Sequence, residues 1–321
     1  MSQKPNYNLA LMGTPEFSVP MFESLIKDND FNIKAMISQK DKPVGRKQIL
    51  TPPAVKALAN KYKIEVKQPD KIKDIKEYLE DLNLDVIIVI AYGKILPQSI
   101  LDIPKYGCIN VHASLLPKYR GSSCLQAPIL FGDKKTGLTI MKMDAGMDTG
   151  DIIKQFEIEL DEKETLPSLH DKLSLLGKEN ISQTIKAYLK GEIKAIEQDD
   201  SQATYVKLLK KEDGLLDFTE PTENIERKIR ALNPWPGTFA FLGDQNLKIL
   251  ESQGTIETDQ PHTIGELFFN SNKLYIQAQD KALEISKIQL SGKKPIQGQQ
   301  ISAGYKYLDG KILTKVPSSS G

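Results

Sequence analysis

Cysteine is nearly missing from this chain: 321 residues carry two, Cys108 and Cys124, which is too few for a disulfide framework and lacks metal-ligand spacing. Histidine, at three residues, is almost as scarce. Charge of one sign is also wanting, since 43 Lys and Arg against 42 Asp and Glu leave a net +1. A protein that holds anions by bulk charge is thereby excluded, and any anionic partner must be met by local patches. No apolar run reaches the roughly 18 residues that span a bilayer, and the opening MSQKPNYNLALMG lacks a signal peptide's apolar core. These absences predict no membrane association and residence in a reducing cytoplasm. The fingerprint GxGxxG is missing as well. MGTPEFS supplies only Gly13 in the turn after the first apolar run, so a dinucleotide cofactor is not expected.

What the chain does contain, 40% hydrophobic and 26% charged residues, is an ordinary globular mixture of a length that suits two domains. In the first half, short apolar runs (Tyr7–Met12, Phe31–Ile37, Val86–Ile90, Ile109–His112) alternate with amphipathic stretches. DVIIVIAYG and YNLALMG are apolar without alternation, as in strands covered on both faces. The pattern predicts an α/β domain with a Rossmann-like, doubly wound, mostly parallel sheet over 1–190. It includes a long helix from Leu166 to Lys190 with Leu169, Leu173, Leu176, Ile181 and Ile185 on one stripe. Residues 191–205 are polar and aperiodic and read as a linker. Beyond lie one helix, Thr222–Leu232, and short strand-like runs such as GTFAFL, KLYIQA and ALEISKIQL. These predict a small OB-like antiparallel barrel over 206–315, with a tail at 316–321. Trp235, in NPWPG, is expected to pack in the core.

Chemistry concentrates between Cys108 and Gly150. Asn110 and His112 lie two apart at the end of a strand, so their side chains share a face. In an open α/β sheet, ligands gather beyond the carboxyl ends of strands. There an amide can donate to a developing oxyanion while an imidazole stabilises charge or moves a proton. Asp148 sits 36 residues after His112 in a glycine-rich loop, able to reach the imidazole and favour its charged form. Each residue also has a plain structural reading: a hydrogen-bonding pair at a strand end, and a turn aspartate capping its own backbone. Their convergence within about 40 residues favours chemistry.

NVHASLLPKYRGSS followed by MDAGMDTGD resembles the folate-dependent formyltransferase family. GTPEFSVP, DKPVGR, RALNPWPG and LSGKKP are similar to the branch that acts on methionyl initiator tRNA. The likeness runs from Gly13 to about Lys294; Ser122, Ser123 and Cys124 stand where the family often carries small residues and proline. The resemblance implies that Asn110, His112 and Asp148 are a catalytic trio. It implies 10-formyltetrahydrofolate as the formyl donor, the α-amine of methionine esterified to initiator tRNA as acceptor, and no metal. It further implies that Ser114, Leu115, Leu116 and Pro117 form a folate-contacting loop, with Ile90, Ala91, Tyr92 and Gly93 in the wall of the pterin pocket. The long basic connection Ser38–Pro53 is similar to a tRNA-wedging loop, with Arg46, Lys42 and Lys47 as contacts, joined by Lys207 and Lys210 at the linker exit. On residues alone, a solvated charged loop reads equally well. Beyond Val206, cations and anions are nearly balanced, so charge gives the second domain no RNA-binding signature. A hydrolase of formyltetrahydrofolate and a non-catalytic RNA-binding protein are the alternatives, and a monomer is expected.

Overall fold

The structure, a computed structural model, describes residues 7–45 and 47–317. Contacts gather the chain into two units, one running to Cys124 and including Lys135–Glu159 and Ser168–Val206. The other comprises Leu125–Lys134, Leu160–Pro167 and the chain from Lys207 onward.

The first unit is built on a seven-stranded sheet. In chain order its strands are β1 (Tyr7–Gly13), β2 (Phe31–Ile37), β5 (Val66–Lys67), β6 (Val86–Ile90), β7 (Cys108–His112), β9 (Lys135–Lys142) and β10 (Ile152–Glu159). Their spatial order is β10-β9-β7-β6-β1-β2-β5. From β5 to β7 the pairing is parallel, while β9 and β10 run antiparallel. All five residues of VIIVI in β6 are buried, as a central strand covered on both faces requires. Crossovers are made by α1 (Val19–Lys27), α2 (Ala54–Tyr62), α3 (Lys76–Asp81) and the single turn α4 (Gln98–Leu101). The helix predicted from Leu166 to Lys190 forms over Leu166–Leu189. Leu169, Leu173, Ile181 and Ile185 are fully buried along it. Gly177 on the same stripe permits close packing, because a Cβ there would lie 2.3 Å from Met21 Sδ.

Between β2 and α2 the basic connection is a hairpin of β3 (Lys42–Val44) and β4 (Ile49–Thr51), exposed at every strand position. Arg46 lies outside the described residues. A parallel two-residue pair joins β8 (Arg120–Gly121) to β11 (Tyr205–Val206). The second half of the sequence-defined linker is therefore ordered structure within the first unit.

In the second unit, α5 (Ala127–Phe131) packs with α7 (Thr222–Leu232). The antiparallel sheet contains β12 (Phe239–Leu242), β13 (Gln245–Ile256), β14 (Glu266–Asn270), β15 (Lys273–Gln277), β16 (Ala282–Leu290), β17 (Ile296–Gln297) and β18 (Lys311–Ile312). The path β12-β13-β16-β15-β14-β18 is drawn nearly closed by reciprocal backbone bonds between Phe241 and Thr314, each 2.9 Å. Leu247, Ile249, Ile276, Leu283 and Ile288 fill the interior. The expected core position of Trp235 is corrected here: its side chain is 60% exposed. The inward place in that turn goes instead to Asn233, whose amide donates to Ile229 O (2.9 Å) and Thr238 Oγ1 (3.0 Å).

Candidate active site

The carboxyl end of β7 delivers Asn110 and His112 to one face, as strand alternation requires. His112 is 6% exposed. Its Nε2 lies 2.9 Å from the carbonyl of Tyr119, which can only accept, so Nε2 carries hydrogen. Nδ1 lies 3.6 Å from Asp148 Oδ2, within reach of strong Coulomb attraction but too far for a hydrogen bond. Both ring nitrogens thus face acceptors. Burial opposes charge on this ring. The Cys124 sulfur, the Asp148 carboxylate and the Tyr119 carbonyl together outweigh it, raising the pKa from 6.5 to about 9. The imidazolium is the resting form at neutral pH.

Asp148 adopts a left-handed backbone, φ 55°, in the loop between β9 and β10. Its Oδ2 accepts from the backbone N–H of Gly121 at 2.8 Å, which aims the carboxylate toward His112. The trio's third member, Asn110, is half-buried, and its carboxamide makes no hydrogen bond to other described residues. The amide is free to donate.

The loop after His112 is pinned from β9. Thr139, paired opposite His112 in the ladder, donates to Ser114 O (2.7 Å) and accepts from Leu116 N–H (3.0 Å). Gln155 adds a bond to Leu116 O at 2.8 Å. Ser114 is wholly buried and its hydroxyl donates to Lys118 O, so this side chain shapes the loop. Leu116 is buried as well, whereas Leu115 and Pro117 are half-buried. At the end of β6, Ile90 and the Tyr92 ring are buried, and the exposed Ala91 and Gly93 take left-handed backbone. The Tyr92 carbonyl accepts from Thr14 Oγ1 and Gln39 Nε2, and its phenolic oxygen is buried without a partner among the described residues. A cavity of about 480 Å³ opens beside the start of β7, walled by Leu101, Gly107, Lys142 and Met143. It touches neither Asn110 nor His112.

Among the basic candidates, Lys42 and Lys47 stand exposed on the hairpin, and Lys207 and Lys210 are exposed where the second unit begins. Sequence patterning misses Gln198, Arg120, Thr139 and Gln155, which support the site through hydrogen bonds that hydrophobic periodicity does not register. The Arg in KYRG, a charged residue inside an otherwise small-residue turn, is the one signal that points to them.

Comparison with known proteins follows the same lines. The family described as formyl transferase matches residues 7–185, and the formyl transferase C-terminal domain matches residues 208–306. A methionyl-tRNA formyltransferase of Caldicellulosiruptor saccharolyticus is 42% identical over 314 residues, covering 96% of this chain and 100% of its own. One from Bacillus velezensis is 41% identical over 308 residues, covering 95% and 97%. Among solved structures, an N-formyltransferase from Helicobacter canadensis, determined with folinic acid and dTDP-3-aminofucose, superposes with a TM-score of 0.64 at 19% identity. That match covers 86% of this chain and 98% of the other, and shows a shared fold. The chain belongs to the formyl transferase family, among the methionyl-tRNA formyltransferases.

Proposed function

We infer that this chain transfers the formyl group of 10-formyltetrahydrofolate to the α-amine of methionine on initiator tRNA. The observation that carries the reading is the cationic His112, held between Tyr119 O and Asp148 beside an unengaged Asn110 amide. Such a constellation fits an acyl transfer in which negative charge develops on one oxygen. The neutral amine attacks the formyl carbon and forms the new C–N bond. The carbonyl electron pair moves to oxygen, where Asn110 Nδ2–H and His112 Nδ1–H donate to it. Because Nδ1 is not bonded to Asp148 at rest, its proton is available to that oxygen. Collapse then breaks the bond to N10 of the folate, with the amine's proton passing to N10 by way of Asp148 and water. Formylmethionyl-tRNA and tetrahydrofolate are the products.

For the donor, the reading assigns the Ala91–Gly93 backbone and the 114–117 loop to the pterin-bearing end. For the acceptor, it assigns phosphate contacts to Lys42 and Lys47 on the hairpin, to Arg46, and to Lys207 and Lys210. Supply of a translation initiator places the reaction in the cytoplasm. The test is incubation with 10-formyltetrahydrofolate and charged initiator tRNA, scoring formylmethionyl-tRNA. Release of formate at the same rate without tRNA, and no formylated product with it, would identify a hydrolase instead.

A further inference from the structure

The segment that reads as a polar linker returns to the catalytic loop and binds it at three places. Ile196 forms a reciprocal antiparallel bridge with Ile152 at the start of β10, with bonds of 2.8 and 2.9 Å. Ten residues later, Tyr205–Val206 pairs with Arg120–Gly121. This second anchor requires glycine at 121, where φ is 112° and a Cβ would meet Val206 O at 2.3 Å. Between the anchors lies Gln198, 7% exposed.

The Gln198 carboxamide uses its whole hydrogen-bonding capacity. Its Nε2 donates to Asp148 O at 2.8 Å and to Gly150 O at 2.7 Å. Its Oε1 accepts from Arg120 Nε at 3.2 Å and Nη2 at 2.9 Å. Arg120, 1% exposed, is held in turn by Asp200 at 2.6 Å and by the Tyr205 hydroxyl at 3.1 Å, both from the same returning segment. The next residue, Gly121, donates its N–H to Asp148 Oδ2. The bonds close into a ring, in which Asp148 is gripped through its side chain by Gly121 and through its carbonyl by Gln198, with Arg120 joining the two. A buried network of this kind, with every member satisfied, rigidifies what it encloses.

We propose that residues 196–206 are a brace for the reaction centre and that Gln198 is a positioning residue, setting the Asp148 carboxylate against His112. The inference rests on the functional reading above for its kinetic consequence and on geometry alone for its structural one. Without the two amide bonds, the left-handed turn at Asp148 keeps its side-chain bond to Gly121 and the neighbouring Thr149–Asp144 contact, but loses its tie to the returning segment. A displacement of about 1 Å at such a group costs on the order of 10²-fold in rate.

Two variants test it. Gln198→Glu keeps an acceptor for Arg120 but donates to neither carbonyl; Gln198→Met removes the donors without adding charge. Arg120 retains Asp200 and Tyr205 in both, so the fold persists. The first measurement is ring titration of His112 by NMR in the substrate-free protein, which has only three histidines to assign. Near the ring, Cys124 and Asp148 are the groups that bear on its charge. The expected result is a fall of about one pH unit or more in either variant as the carboxylate moves away. The second is single-turnover transfer, expected to lose about 10²-fold in kcat with KM for folate and tRNA nearly unchanged. His112 titrating as wild type in both variants overturns the proposal, as does an unchanged kcat. The titration needs no substrate. Should the wild-type chain form no formylmethionyl-tRNA, the functional reading fails while the brace is still decided by the ring.

Discussion

Replacing Asp148 with Asn separates the charge of this residue from its shape. The His112 ring is 6% exposed, and moving its pKa from 6.5 to about 9 corresponds to about 3 kcal/mol in favour of the charged form. The Cys124 sulfur is the largest influence raising it; the Asp148 carboxylate at 3.6 Å and the Tyr119 carbonyl add to it against burial. An amide in place of the carboxylate keeps the bond from Gly121 but removes the carboxylate's share of the opposition to burial, so the ring loses its proton at lower pH. On the proposed mechanism, in which the charged ring donates to the oxyanion, wild-type activity is expected to persist until pH rises through about 9. Above that it falls about tenfold per unit. In Asp148→Asn the falling limb moves to lower pH, so the deficit relative to wild type widens as pH rises toward 9. The assay is rapid-quench single turnover at saturating folate, kept short because the aminoacyl ester is labile in alkali. The acid limb, where the attacking amine is protonated, is common to both proteins and cancels in the ratio. Parallel profiles across that range would refute the assignment of Asp148 as one of the groups that keep His112 charged.

Asn110→Ala removes one oxyanion donor and is expected to cost 10²- to 10³-fold, on the order seen for such donors, in kcat, measured with folate KM near wild type. His112→Ala is expected to abolish transfer with thermal unfolding close to wild type, since the ring's replacement leaves β7 paired on both sides; turnover near normal would remove it from the mechanism. Lys42→Ala and Lys47→Ala on the exposed hairpin should each weaken tRNA use and lower the salt dependence of binding by about one unit of slope, leaving folate binding unchanged. Gly177→Ala forces a methyl to 2.3 Å from Met21 Sδ and should destabilise the first unit by about 1–3 kcal/mol in denaturant unfolding.

The parts of this fold that could be read in advance are those governed by hydrophobic period. The continuous apolar run of β6, the stripe of the helix Leu166–Leu189 and the helix Thr222–Leu232 all fall where spacing places them. The Asn-x-His alternation likewise puts the side chains of Asn110 and His112 on one face, and a glycine-rich loop carries Asp148 to His112. What escaped is polar and non-local. Residues 196–206 have no apolar rhythm because they are held by backbone bridges, a buried guanidinium and one saturated carboxamide, whose partners lie up to 85 residues away. Thr139 and Gln155 fix the 114–117 loop in the same fashion, across a sheet rather than along the chain. Trp235 shows the converse: its size suggested the interior, yet a small amide able to donate to a carbonyl and a hydroxyl took the inward place.

The returning segment also bears on where the chain can be cut. A fragment ending near residue 187 keeps every strand of the large sheet and all but the last residues of its long helix, yet discards Ile196, Gln198 and Thr204. One ending after Val206 retains them. Of the two, only the longer piece is expected to show His112 titrating as it does in the intact protein, and it is the fragment suited to studying the folate half of the reaction without tRNA.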